Sequence, residues 1–213
     1  MPVPAAQRYR SATQWNESLP QLPGSRAEVL AIADLARASW PSSQIDIYLG
    51  CRATPSALRR AAGAAPALLH IATHGYVDAL RPRLSALALT REDENHPEGG
   101  VFGLLDILDT KTVARLVVLS ACDTSRGRLL PGEGVLGPAQ AFLQSGAASV
   151  LASYWSIDDD ATASFMRTFY KYLLTDHLPV ATALRRAQLE QSSTHSAHNW
   201  AGFALFGWPD GAL

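Results

Sequence analysis

Two short apolar runs constrain this chain more than any other feature. Ala67 to Thr73 is nearly all apolar and is closed by His74 and Gly75; Leu116 to Ala121 is closed by Cys122, Asp123 and Thr124. A continuous apolar run between breakers reads as a strand buried on both faces, as in a parallel sheet covered by helices. Helical patterns fall between such runs. Ser25 to Glu28 spells a capping box, and Leu30, Ile32, Leu35 and Ala36 recur at helical spacing to about Trp40. Thr54 and Pro55 open a second helix that ends near Gly63. Gly103 to Leu108 suits a short helix, Val135 to Gln144 a longer one closed by Gly146, and Asp158 to Asp160 open an amphipathic helix carrying Phe165, Phe169, Tyr172 and Leu173. Val180 to Gln191 completes the helical set, while Ile45–Leu49, Leu84–Thr90, Ser149–Trp155 and Ala201–Phe206 read as further strands. Alternation over one domain's length predicts a three-layer α/β/α sandwich with a mostly parallel sheet. Residues 1–22 are polar, carry three prolines and read as an arm or linker, leaving 23–213 as the folded domain.

Composition narrows the function classes. The 213 residues are 47% apolar and 17% charged, which excludes disorder over most of the length. Eighteen basic and nineteen acidic residues nearly cancel, so no basic field exists to draw nucleic acid or a membrane surface. Two cysteines, Cys51 and Cys122, are too few for a disulfide framework. No apolar stretch is long enough to span a bilayer, and Met1 to Arg10 lacks the apolar core of a secretory signal. The expectation is a cytoplasmic protein without nucleic-acid or membrane partners.

The motif survey removes common chemistries. There is no GxxxxGK[ST], no GxGxxG after a strand, no HExxH, no CxxC and no GxSxG, so no P-loop, dinucleotide fingerprint, common zinc site or serine elbow is expected. What remains is the pair of strand ends. Open α/β sheets place ligands outside the carboxyl ends of their strands. If the two runs pair in parallel, His74 and Cys122 share one rim. A thiol needs to become a thiolate to react, and an adjacent imidazole takes that proton. Backbone N–H groups of Gly75 and Cys122 would then hold an oxyanion. The alternative for each residue is structural: a cysteine at a buried strand end acts as a small packed hydrophobe, and a lone histidine as a satisfied polar group. Alternation places His70, Ala72 and His74 on one side of the first strand, with His70 deeper and suited to a hydrogen-bonded core position.

Four blocks carry a resemblance: LLHIATHG, LVVLSACDT, PGEGVLGPAQAFLQSGAASVLASYWSIDD and NWAGFALFGWP. In this order, from Leu22 to Pro209, they resemble the CHAT family of caspase-like peptidase domains often fused to TPR repeats. The interval from His74 to Cys122 also matches the roughly fifty residues by which caspases separate their histidine and cysteine. The resemblance implies a caspase–separase fold and a Cys–His dyad, with His74 as general base, Cys122 as nucleophile and Gly75 as the glycine after the histidine. Domains of this family usually open with a strand before the region matching Leu22. Nothing in Met1 to Pro20 suits a central strand, so this chain reads as having a poor first strand or as a piece of a longer protein.

By the same resemblance the activity is that of a cysteine endopeptidase cutting a protein substrate at few sites, in regulated proteolysis such as bacterial defence or cell death. No metal or organic cofactor is expected, and a regulatory TPR-type segment or partner would lie outside this chain. Asp158, Asp159 and Asp160 either cap a helix or line a pocket for a basic P1 side chain; Asp123 either does the same or turns the chain. Glu133 resembles the family's Glu-Gly pair and shapes the cleft. The alternative function is a latent or inactive caspase-fold scaffold, and an acyltransferase or deamidase would share the first half-reaction.

Overall fold

The computed structural model describes Asn16 and residues 19–76, 84–93, 99–121 and 136–209. In chain order its elements begin with α1 (Pro23–Ser39), α2 (Pro55–Gly63), β1 (Leu68–Ala72), β2 (Gly75–Tyr76), β3 (Ala86–Ala88), β4 (Val101–Gly103), α3 (Leu104–Asp109) and β5 (Leu116–Ser120). They continue with α4 (Leu136–Gln144), β6 (Ser149–Ser153), α5 (Asp159–Tyr170), α6 (Val180–Ser192), α7 (Ala197–Trp200) and β7 (Phe203–Gly207).

Every residue of β5 and of β6 is buried. Successive strand side chains point to opposite faces, so such strands need a helical layer on each side. Leu116 and Val118 of β5 and Leu151 of β6 pack into one core with Ile32 and Ala36 of α1, Phe165, Met166 and Phe169 of α5, and Ala183 of α6. Val117 and Leu119 of β5, with Val150 and Ala152 of β6, pack into the other with Leu58 and Ala62 of α2, Ile107 of α3 and Phe142 of α4. The result is the expected mixed α/β architecture with helices on both sides. The main sheet runs in the order β1-β5-β6-β7, with β1, β5 and β6 parallel and β7 antiparallel at the edge. Register places Leu68 opposite Leu116 and Ala72 opposite Ser120.

Four local expectations change. The run Leu84–Thr90 shortens to β3, which joins β2 and β4 in a separate antiparallel sheet. Ile45–Leu49 pairs with no strand among the described residues, although Ile45 packs against the first core. The amphipathic helix α5 continues past Tyr170 as a π-helical turn, Lys171–Thr175. The capping box at Ser25 does not form: α1 starts earlier, at Pro23, Ser25 Oγ donates to the Leu22 carbonyl at 2.8 Å, and Glu28 turns into the core. Proline suits the first helical position because its missing N–H would have no intrahelical partner anyway. By contrast Thr54 caps α2 as its sequence requires, accepting from the Ala57 N–H at 3.2 Å.

Gly146 closes α4 with φ of +119°, and a Cβ there would overlap the Thr112 carbonyl. Both the left-handed backbone and the close approach demand glycine. Gly146→Ala should therefore lower unfolding free energy by about 1–3 kcal/mol, read from a shifted denaturant midpoint at unchanged slope.

Candidate functional site at the carboxyl edge of the sheet

β1 and β5 are neighbours and run in parallel, so their carboxyl ends form one rim. The Thr73 N–H donates to the Ser120 carbonyl at 3.2 Å, fastening the strands immediately before their polar ends. His74 follows and is 7% exposed. Its Nε2 lies 2.8 Å from the carbonyl oxygen of Pro20. A carbonyl only accepts, so Nε2 carries the proton, and in a neutral ring the lone pair then sits on Nδ1. Nδ1 is thereby set up as a proton acceptor by a group fifty-four positions earlier in the chain. Nothing in the sequence marked Pro20 for this contact, because a backbone carbonyl leaves no trace in residue type.

Gly75 sits beside Ala121, the residue before Cys122. A Cβ at Gly75 would stand 3.4 Å from the Ala121 carbonyl oxygen and 3.7 Å from its Cβ. Gly75 pairs with Leu87 of β3, while the flanking Ala88 N–H donates to the His74 carbonyl at 2.9 Å. That bond makes His74–Ala88 the hydrogen-bonded pair and Gly75–Leu87 the alternating one, so the Gly75 N–H is directed away from β3.

His74 lines a cavity of about 220 Å³, bordered also by Pro20, Leu22, Ser120, Asp159 and Thr162. The three acidic residues expected together separate here. Asp158 caps its own helix: Oδ1 accepts from the N–H groups of Asp160 and Ala161 at 3.1 and 3.3 Å. Asp160 is exposed. Asp159 alone faces the cavity, and its Oδ2 accepts the Gly24 N–H at 2.8 Å. Gly24 belongs to the first turn of α1, whose own N-cap residue, Leu22, has no side-chain acceptor. Asp159 therefore caps a neighbouring helix. Burial raises its pKa, the Gly24 hydrogen bond opposes that rise, and the charges of Glu28, Asp160 and Asp158 add to it.

His70 lies deeper on β1, as alternation indicated. Nδ1 is 2.9 Å from the Tyr170 hydroxyl and Nε2 is 2.8 Å from Glu28 Oε1. The second approach falls outside hydrogen-bond geometry and leaves the ring nitrogen against the carboxylate oxygen. Burial, and then the Glu28 charge, push Tyr170 well above the ordinary phenol range, so it keeps its hydroxyl proton beside Nδ1. Glu28 was the signal the sequence offered for this network, and it was absorbed there by the capping-box pattern.

Cys122, Asp123 and Glu133 lie outside the described residues. Cys51, the other cysteine, is exposed in a turn after Leu49. Among the described residues no cluster of three metal-ligating side chains occurs, and no helix is long and apolar enough to cross a membrane.

Residues 2–208 match the CHAT domain family. The chain is also similar to tetratricopeptide repeat protein 28 of Mus musculus, 36% identical over 104 residues, and to the protein of the same name from Homo sapiens, 38% identical over 105 residues. Each match covers 48% of this chain and 4% of the relative, so the chain spans a small fraction of these proteins' length.

Two measurements probe the network beneath the rim. Glu28→Ala leaves the buried His70 Nε2 without its polar neighbour and should cost about 1–3 kcal/mol in denaturant unfolding. The second concerns Asp159. Because its folded-state pKa is raised, the native form holds that proton at pH values where the unfolded chain has lost it, so stability through this group falls as pH rises. Wild type should gain stability relative to Asp159→Asn as pH is lowered from neutral towards the ordinary carboxyl range, read as the difference in their melting temperatures.

Proposed function

Because the chain belongs to the CHAT domain family, a caspase-like peptidase-related family, we propose that it is a cysteine endopeptidase using His74 and Cys122. The observation that carries the reading is the Pro20 carbonyl on His74 Nε2, at the end of a strand paired in parallel with the one leading to Cys122. Ala72 stands opposite Ser120; two residues further along each chain come His74 and Cys122. A base whose tautomer is fixed by an acceptor on its far nitrogen is what a thiol nucleophile requires.

In this mechanism Nδ1 of His74 takes the Cys122 thiol proton, and the thiolate attacks the scissile carbonyl carbon. The C–S bond forms as the carbonyl π electrons move to oxygen, and the Gly75 and Cys122 N–H groups hold that oxyanion. Collapse of the tetrahedral species breaks the C–N bond, with the His74 proton going to the leaving amine. Water, deprotonated by His74, then hydrolyses the thioester and frees the thiol. The substrate is a protein segment entering the rim, and its side chain reaches the cavity beside His74. Asp123 and Glu133 contribute to the cleft wall. A TPR-type segment, like that in the relatives' names, supplies regulation from outside this chain, and the protein works in the cytoplasm in regulated proteolysis such as defence or cell death.

Digestion of a diverse peptide mixture, read by mass spectrometry, tests this. Wild type should cleave at few sites, and Cys122→Ala or His74→Ala should lower the rate by about 10³-fold or more. Iodoacetamide should modify Cys122 near neutral pH in wild type and more slowly in His74→Ala. A wild-type chain that neither cleaves nor shows a His74-dependent thiol would instead support the scaffold reading.

A further inference from the structure

Asn16 and residues 19–24 are fastened at two points on either side of the His74 contact. At one end Asn16 Nδ2 donates to the Leu89 and Gly99 carbonyls at 3.2 and 2.9 Å, and the Asn16 carbonyl accepts the Leu19 N–H at 3.4 Å. At the other, Asp159 holds Gly24. Between these anchors lies the Pro20 carbonyl that meets His74. The span from Leu19 to Gly24 contains Pro20 and Pro23, whose rings fix φ at two positions. A short stiff span transmits the placement of its ends to the carbonyl in its middle.

The Asp159 anchor is matched to its partner on both sides. Gly24 has no side chain, and a Cβ there would fall 2.6 Å from Asp159 Cγ, inside contact distance. A Cβ at Gly24 would push the Asp159 side chain off the Gly24 N–H, and a residue 159 without an acceptor oxygen would leave that N–H without this cap. Asp159 borders the same cavity as His74 and Pro20, so either loss falls beside the base itself.

From this arrangement we propose that Asp159 is a positioning residue: by capping α1 at Gly24 it holds the Pro20 carbonyl on His74 Nε2 and so sets the tautomer of the base. The kinetic part rests on the reading of His74 as the general base; the tautomer part does not. The role needs an acceptor oxygen on residue 159 rather than its charge. That separates it from recognition of a basic substrate side chain, which needs the charge.

The test has two arms on the intact chain. In ¹⁵N-histidine spectra, with His74 signals assigned by their loss in His74→Gln, wild type should show the Nε2–H tautomer. Asp159→Ala and Gly24→Ala should both shift the signals towards a mixed tautomer, whereas Asp159→Asn, whose side-chain oxygen still accepts the Gly24 N–H, should keep the wild-type signature. Where peptide cleavage is measurable, Asp159→Ala and Gly24→Ala should lower kcat by about ten- to a hundredfold at little-changed KM, with Asp159→Asn close to wild type. Unchanged tautomer signals in folded Asp159→Ala or Gly24→Ala would overturn the proposal, even if cleavage were impaired. Loss of cleavage in Asp159→Asn with its tautomer intact would overturn the kinetic part and point to charge recognition of substrate. Absence of cleavage by wild type would fail the protease reading while leaving the spectroscopic arm decisive.

Discussion

A strand buried on both faces has nowhere to put an ionisable side chain until it leaves the sheet. β5 is buried at every position, and its residues alternate between two apolar cores. Burying an unpaired polar group there would cost several kcal/mol. Polar chemistry is therefore driven to the strand end, and the parallel neighbour β1 ends at the same height because Ala72 is opposite Ser120. The rim is a consequence of core packing before it is a feature of any reaction.

His70 is the instructive exception. It sits within β1, two pleats below His74, and the fold accommodates it only by supplying Glu28 from α1 and Tyr170 from α5. One polar side chain on a core strand has thus determined a buried acid and a buried phenol on two helices. The same helices begin at the rim, where Asp159 of α5 caps Gly24 of α1. The layer on this side is consequently tied to the sheet through polar groups as well as through Ile32, Ala36 and Phe169.

The sequence was most legible where periodicity and breakers agreed. β1, β5, β6, α2 and α6 appear within a residue or two of their expected bounds, because long apolar patterns and proline, threonine or glycine punctuation act locally. It was least legible where a local pattern had a tertiary competitor. Ser25 and Glu28 spell a capping box, yet a buried histidine claims Glu28 and α1 begins at Pro23. Ile45–Leu49 has strand composition but finds no strand partner among the described residues. Asp158, Asp159 and Asp160 read as one acidic group, and only three-dimensional position gave them separate surroundings: a cap on the home helix, a cap on a foreign helix and solvent.

The sequence by itself determined the layered α/β/α class, the shared side of His70, Ala72 and His74, and that His74 and Cys122 follow two strands of parallel-sheet character. These depend on residue type and spacing, which are local. Only the tertiary structure decided that β1 and β5 are neighbours, that the Pro20 carbonyl meets His74, and which of three aspartates faces the cavity. Those depend on backbone groups and distant segments brought within hydrogen-bond reach, and a backbone carbonyl is the same atom in every residue of the chain.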